Sequence, residues 1–238
     1  MTKRSHIIPH CTEREEELAV HLFEIGAIQI DIENGFELAE HRVDPGLPRS
    51  PIKFNIRTKE LGGLLTQTSM WMIGGVIGDK MKSHHSPPTV LIGAPNAGTM
   101  LVSSLRNHLS RCSVIGTPHP PAQMVLEKRV DNTVAVKDFI GSFPGGALNI
   151  AWLIGDVLTR ALTKLKSLDI ACAVGFKIKY CLVLIDREQG GVKSMEEIGV
   201  EVISVFTMSD LLTFYLAKDL LTKSQHEHIV SYLSASAP

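Results

Sequence analysis

The stretch Ala151-Trp152-Leu153-Ile154-Gly155-Asp156-Val157-Leu158-Thr159-Arg160-Ala161 decides how this chain folds. A short apolar run stops abruptly at Gly155-Asp156, and a helical pattern begins just beyond it and lasts to about Leu168. An apolar run with no polar face is a strand buried on both sides. A strand that ends in a Gly-acid turn before a helix is the repeating unit of an open parallel sheet, where ligands lie at the carboxyl ends of strands.

The same pattern recurs on either side of this stretch. Thr89 to Gly93 predicts a buried strand, with the turn Ala94-Pro95-Asn96-Ala97 and a helix from Gly98 to Arg111. Tyr180 to Ile185 predicts another, ending in Asp186-Arg187-Glu188-Gln189-Gly190-Gly191 before a short helix around Met195 to Ile198. Glu201 to Phe206 is a further strand. Ser209 or Asp210 caps a helix from Leu211 to Leu221, and a last helical segment covers about Ser224 to Leu233.

Upstream, Thr12-Glu13-Arg14-Glu15 is a capping box that opens a helix with Leu18, Leu22, Phe23 and Ile25 on its apolar face, stopped at Gly26. Ala27 to Leu38 reads as extended, and Ile52, Phe54 and Ile56 alternate with polar residues as in a half-exposed strand. Leu61, Leu64, Leu65, Thr68, Met72, Ile73 and Val76 predict a helix; Ser113 to Gly116 and Gln123 to Leu126 predict short strands. Glu127 to Lys137 is polar and aperiodic, so it reads as a loop or irregular ribbon. The expected architecture is one α/β domain over residues 1–238, a mainly parallel sheet with helices on both faces. A helix-and-strand portion over about residues 12–57 precedes it and a helical extension over about 218–238 follows.

Charge and composition narrow the function. Lys and Arg (24) balance Asp and Glu (25), which disfavours nucleic acid as a partner because its binders normally carry a basic excess. No apolar run reaches the ~18 residues of a membrane span, and the start, Met1-Thr2-Lys3-Arg4-Ser5-His6, lacks a signal-peptide core, so a cytoplasmic protein is expected. The four cysteines form no C-x-x-C pair and the ten histidines no ligand spacing, so no protein-held metal is expected.

Taken in order, the three strand-end turns resemble those of the type I phosphoribosyltransferases, specifically the orotate phosphoribosyltransferases. Leu184-Ile185-Asp186-Arg187-Glu188-Gln189-Gly190-Gly191 resembles the family's D-R-E-Q-G-G segment. Ser50-Pro51-Ile52-Lys53-Phe54-Asn55-Ile56-Arg57 resembles its S-P-I-Y-F-D-x-R strand. Leu22 to Ala27 and Phe206 to Leu212 resemble its first helix and its last strand and helix. The resemblance spans roughly residues 15–220 and extends to the transferase domain of eukaryotic UMP synthase, whose helical linker to a decarboxylase the tail Lys218 to Pro238 resembles. It implies the type I fold with an N-terminal hood portion. The implied reaction moves ribose 5-phosphate from phosphoribosyl pyrophosphate to orotate, with Mg2+ on the pyrophosphate, in a homodimer.

Carried over residue by residue, the resemblance is incomplete. In the phosphate loop, D-D-x-x-T-x-G, the first acid is Gly155, Asp156 and Thr159 are kept, and Arg160-Ala161 replace smaller residues; Asp156, Thr159 and Arg160 are the implied phosphoribosyl pyrophosphate contacts. In the mobile-loop segment, R-K-x-x-K-x-H/Y-G, Lys128 matches a basic position. Glu127 replaces an Arg, Asp131 takes the catalytic Lys position, and Thr133-Val134 replace the final pair. Ala39 stands where a pyrophosphate-binding Lys is expected, and Asn96-Ala97 replace a Tyr-containing pair. Phe54, Thr159 and Arg187 match the orotate contacts, with Arg187 suited to pair with the carboxylate. Two functions follow: a weak orotate phosphoribosyltransferase of pyrimidine nucleotide synthesis, or a catalytically inactive descendant that binds ligand or regulates.

Overall fold

The computed structural model describes residues 11–38, 41, 44–84, 86–112, 120–131, 133–143 and 150–236. The chain forms two compact units, Met1–Thr66 with Met208–Pro238, and Gln67–Thr207.

In the first unit, α1 (Glu13–Glu24) starts at the predicted capping box: Thr12 Oγ1 accepts from the Glu15 N–H at 3.3 Å, and Glu15 Oε2 accepts from the Thr12 N–H at 2.6 Å. Replacing Thr12 by Ala removes one of these bonds and lowers stability by about 1 kcal/mol, a fall of about 2–4 °C in melting temperature. A calorimetric melt checks it. β1 (Ile28–Ile30) and β2 (Ile52–Phe54) pair antiparallel, Ile28 opposite Phe54. The C-terminal helices group with this unit. Below, α6 is Met208–Ala217 and α7 is Lys223–Ser236. The buried Tyr215 of α6 donates its hydroxyl to Ala19 O at 2.9 Å and packs its ring 4.9 Å from Phe23.

The second unit opens with α2 (Gln67–Lys82). The helix expected from Leu61 starts six residues late, because Gly62 adopts φ +76° and Gly63 lies so close to Arg57 that a Cβ would sit 2.0 Å from its carbonyl oxygen. Then follow β3 (Val90–Gly93), α3 (Ala97–Cys112), β4 (Ala122–Lys128), β5 (Val134–Ile140), β6 (Ile150–Leu158), α4 (Leu162–Ala173), β7 (Lys177–Asp186), α5 (Gly191–Glu196) and β8 (Glu201–Thr207). The sheet order is β5-β4-β3-β6-β7-β8, parallel throughout except for β5, which returns antiparallel against β4. β5 corrects the expectation of an irregular ribbon: it is an edge strand, so one rim of Val134-Ala135-Val136-Lys137 faces outward and no strict alternation marks it. The expected strand Ser113 to Gly116 and the position Ala39 lie outside the described residues.

Both faces of the sheet are covered, as the apolar runs require. Val90, Ile92, Met124, Leu153 and Val183 join Leu168 of α4 and Met195 of α5 in one core. The alternating residues Leu91, Trp152, Ile154, Leu182 and Leu184 are also fully buried and point the other way. α2 and α3 pack tightly together: a Cβ on Gly74 would lie 2.6 Å from Ser104 Oγ, whose hydroxyl donates to Met70 O. Among the described residues no helix is long and apolar enough to cross a membrane.

Candidate ligand site at the strand ends

The three turns meet at the carboxyl end of the sheet. Ala94 N–H, after β3, donates to Ile154 O of β6 at 2.9 Å, and a Cβ on Gly98 would fall 2.5 Å from that same oxygen. On the other side Arg187 N–H, after β7, donates to Leu158 O at 2.9 Å. A Cβ on Gly191 would fall 2.5 Å from Thr159 O and 2.7 Å from Leu158 Cγ. Glycine at 98 and 191 is therefore what lets neighbouring loops touch the central one. Each turn also passes through the left-handed region, at Asn96 (φ 68°), Ala161 (φ 60°), and Glu188 and Gly190 (φ 57° and 88°).

In the central loop, Thr159 is half-buried and Arg160 exposed. Ala161 caps α4 with no side-chain hydrogen bond, so the first-turn N–H groups of that helix are not closed off by their N-cap residue, an arrangement that favours an anion. Ala161 holds the left-handed geometry despite its Cβ, at a cost of about 1–2 kcal/mol.

Asp156 has a partner that sequence reasoning missed. Lys164, in the first turn of α4, reaches back to place Nζ 3.4 Å from Asp156 Oδ1 and to donate to Val157 O. Its side chain is 10% exposed and that of Asp156 27%. Gly155 makes this possible, since a Cβ there would lie 2.7 Å from Lys164 Cε. The available signal was a glycine inside an otherwise bulky buried strand, which marks close approach by another group.

At the β7 turn, Arg187 is 4% exposed, so it is no surface ion pair. Asp186 is buried, and that burial pushes its carboxyl above the usual carboxylate range; a hydrogen bond from Glu188 N–H at 3.0 Å opposes the rise and the Glu188 charge adds to it. Gln189 is also buried, and its Oε1 has no hydrogen-bond partner.

The remaining expected residues lie elsewhere. Lys128 ends β4 with an exposed side chain opposite Val134. Asp131, at the exposed β4–β5 turn, accepts from Thr133 Oγ1 at 2.6 Å and Thr133 N–H at 2.9 Å, which hold its carboxyl below the usual range. Phe54 is on β2, in the first unit. The structure thus brings Asp156, Thr159, Arg160 and Arg187 together through directly bonded turns.

Among the described residues no three His, Cys, Asp or Glu side chains gather as metal ligands. With Gly155 at the neighbouring position and an ammonium against Asp156, the donor set at this turn does not fit a divalent ion held by the chain.

No family model matches the chain. An 81-residue segment is 32% identical to the orotate phosphoribosyltransferase of Sulfurisphaera tokodaii, 34% of this chain and 42% of that protein. The matched segment spans about two fifths of the length of the curated relatives it resembles. Among solved structures, UMP synthase of Leishmania donovani superposes with a TM-score of 0.70 at 16% identity, over 93% of this chain and 42% of that one. Orotate phosphoribosyltransferase of Francisella tularensis superposes with a TM-score of 0.64 at 15% identity, over 92% and 95%. The fold is that of the type I phosphoribosyltransferases, and the resemblance to orotate phosphoribosyltransferases read from the sequence is borne out.

Proposed function

We propose that this chain is an orotate phosphoribosyltransferase-like protein that binds orotate and phosphoribosyl pyrophosphate at the β6 and β7 turns and turns them over only weakly. The observation that carries this reading is the contact of the Asp186 to Gly191 turn with the Leu158-Thr159 backbone, made through Gly191 and the Arg187 N–H. It joins a guanidinium suited to a carboxylate with a loop suited to a sugar phosphate. Phe54 is the proposed second orotate contact and Lys128 and Arg160 the proposed pyrophosphate contacts; Mg2+ enters on the pyrophosphate of the substrate.

Turnover is weak in this reading because catalysis of the reaction is mainly positioning plus stabilisation of the departing pyrophosphate. Losing one preorganised donor costs about 3 kcal/mol, roughly 100- to 1,000-fold in rate. Asp131 replaces a cation with an acid, and the hydrogen bonds it accepts from Thr133 hold its carboxyl below the usual range. The second reading, an inactive ligand-binding or regulatory module, is favoured by the Lys164 contact that occupies Asp156. In both, the protein is a single-domain homodimer; a native mass measured at micromolar concentration checks the dimer.

The experiment mixes the protein with orotate, phosphoribosyl pyrophosphate and Mg2+ and follows orotidylate. The expected rate is far below about 1 per second, the lower end of the usual enzyme range, and a rate at or above it defeats the weak-turnover reading. Arg187→Ala is expected to weaken orotate binding by about 10- to 100-fold in calorimetric titration. Orotate affinity that survives the substitution removes Arg187 from the site.

A further inference from the structure

We infer that Lys164 is a tethered cation that balances Asp156, so that the β6 turn takes the ribose 5-phosphate part of its ligand without a metal held by the chain. This rests on the reading of the β6 turn as a sugar-phosphate site.

A carboxylate at the mouth of a phosphate site repels its own ligand unless a positive charge stands beside it. A bound divalent ion is one way to supply that charge. Here the chain supplies it. The Lys164 ammonium lies 3.4 Å from Asp156 Oδ1 on the buried side, while about a quarter of the Asp156 side chain stays open to solvent. Asp156 therefore keeps an acceptor for a sugar hydroxyl, with its charge balanced from behind. The arrangement is fixed in place. Lys164 also donates to Val157 O, one residue further along the loop, so the same group sets loop shape and charge. Gly155 and Lys164 fit each other, because any side chain at 155 would displace Lys164 Cε. The charge of Lys164 is also felt by Cys181 on β7, where it opposes the rise in the thiol pKa caused by burial, to about 12. An ammonium so enclosed leaves a divalent ion a single carboxylate already neutralised, and like-charge repulsion besides. Lys164 is a positioning residue in this scheme, acting on ligand through Asp156 and the loop.

The test is calorimetric titration of the whole protein with ribose 5-phosphate, which lacks the pyrophosphate that carries Mg2+ in the proposed function, once in excess EDTA and once in Mg2+, with orotate titrated in parallel. Wild type is expected to bind ribose 5-phosphate with affinities that agree within about threefold in the two buffers. Lys164→Met is expected to lose about tenfold or more in EDTA and to recover part of it in Mg2+, since the bare carboxylate then needs an external cation. A rise of about tenfold on adding Mg2+ to wild type overturns the inference and leaves the proposed function standing. Absence of ribose 5-phosphate binding in both buffers overturns the inference and the phosphate half of the proposed function together. Orotate binding reports on the other half. Should Lys164→Met fail to fold by circular dichroism, the two wild-type titrations decide the matter.

Discussion

Trp152→Ala is expected to lower unfolding free energy by about 3–5 kcal/mol, the range for deleting a large aromatic from a packed core. Trp152 is fully buried on β6, the strand between β3 and β7, and its neighbours cannot easily close over the space it leaves. The Tyr180 ring lies 4.6 Å away and the His84 ring 5.6 Å away, edge-on. The indole N–H donates to Ser86 O at 3.1 Å, so truncation also removes the partner of that carbonyl. A loss of this size lowers the melting temperature by roughly 6–20 °C in a chain of this length. Urea unfolding checks it, and fluorescence identifies the residue lost. Of the two tryptophans Trp71 is half exposed, so the blue-shifted emission belongs to Trp152 and vanishes in the variant.

Gly191→Ala is the second large effect, and it separates the site from the scaffold. The added methyl meets the Thr159 carbonyl oxygen and the Leu158 side chain at once, and neither is a flexible chain end that can swing aside. The β6 and β7 turns must move apart, at a cost of about 1–3 kcal/mol. Orotate affinity is expected to fall by tenfold or more, because a displacement of about 1 Å disrupts positioning out of proportion to its effect on stability. Paired melts and titrations check this. A variant that melts low yet binds orotate as wild type does would separate the turn contact from the ligand site.

Much of the sheet was legible in the sequence because burial on both faces leaves a plain mark. Ala151 to Ile154 and Tyr180 to Ile185 are apolar where a half-exposed strand would alternate, and each lies in a strand of the structure. The capping box at Thr12 was legible for a different reason, since reciprocal bonding needs two residue types three positions apart. β5 was not legible: an edge strand is held by backbone bonds on one side, and Lys137 and Asp138 look like loop residues. Leu61 to Leu65 misled because periodicity is blind to backbone crowding, and the Gly63–Arg57 approach forbids a helix there. At the candidate site, a motif and a loop pattern are what single out Arg187 and Thr159 in the sequence. Lys164 was not, because its position on α4 reads as an ordinary polar helix residue; only the three-dimensional return of its side chain to β6 gives it a role.

Gly155 and Lys164 consequently form one packing and charge unit. A side chain installed at 155 would bring its Cβ 2.7 Å from Lys164 Cε, so the lysine chain has to shift from the course that brings its ammonium to Asp156 and Val157 O. Loss of Lys164 alone leaves a hollow beside Gly155 and an uncompensated carboxylate next to it. The two positions are therefore coupled, and a double-mutant cycle across them is expected to depart from additivity by more than about 0.5 kcal/mol.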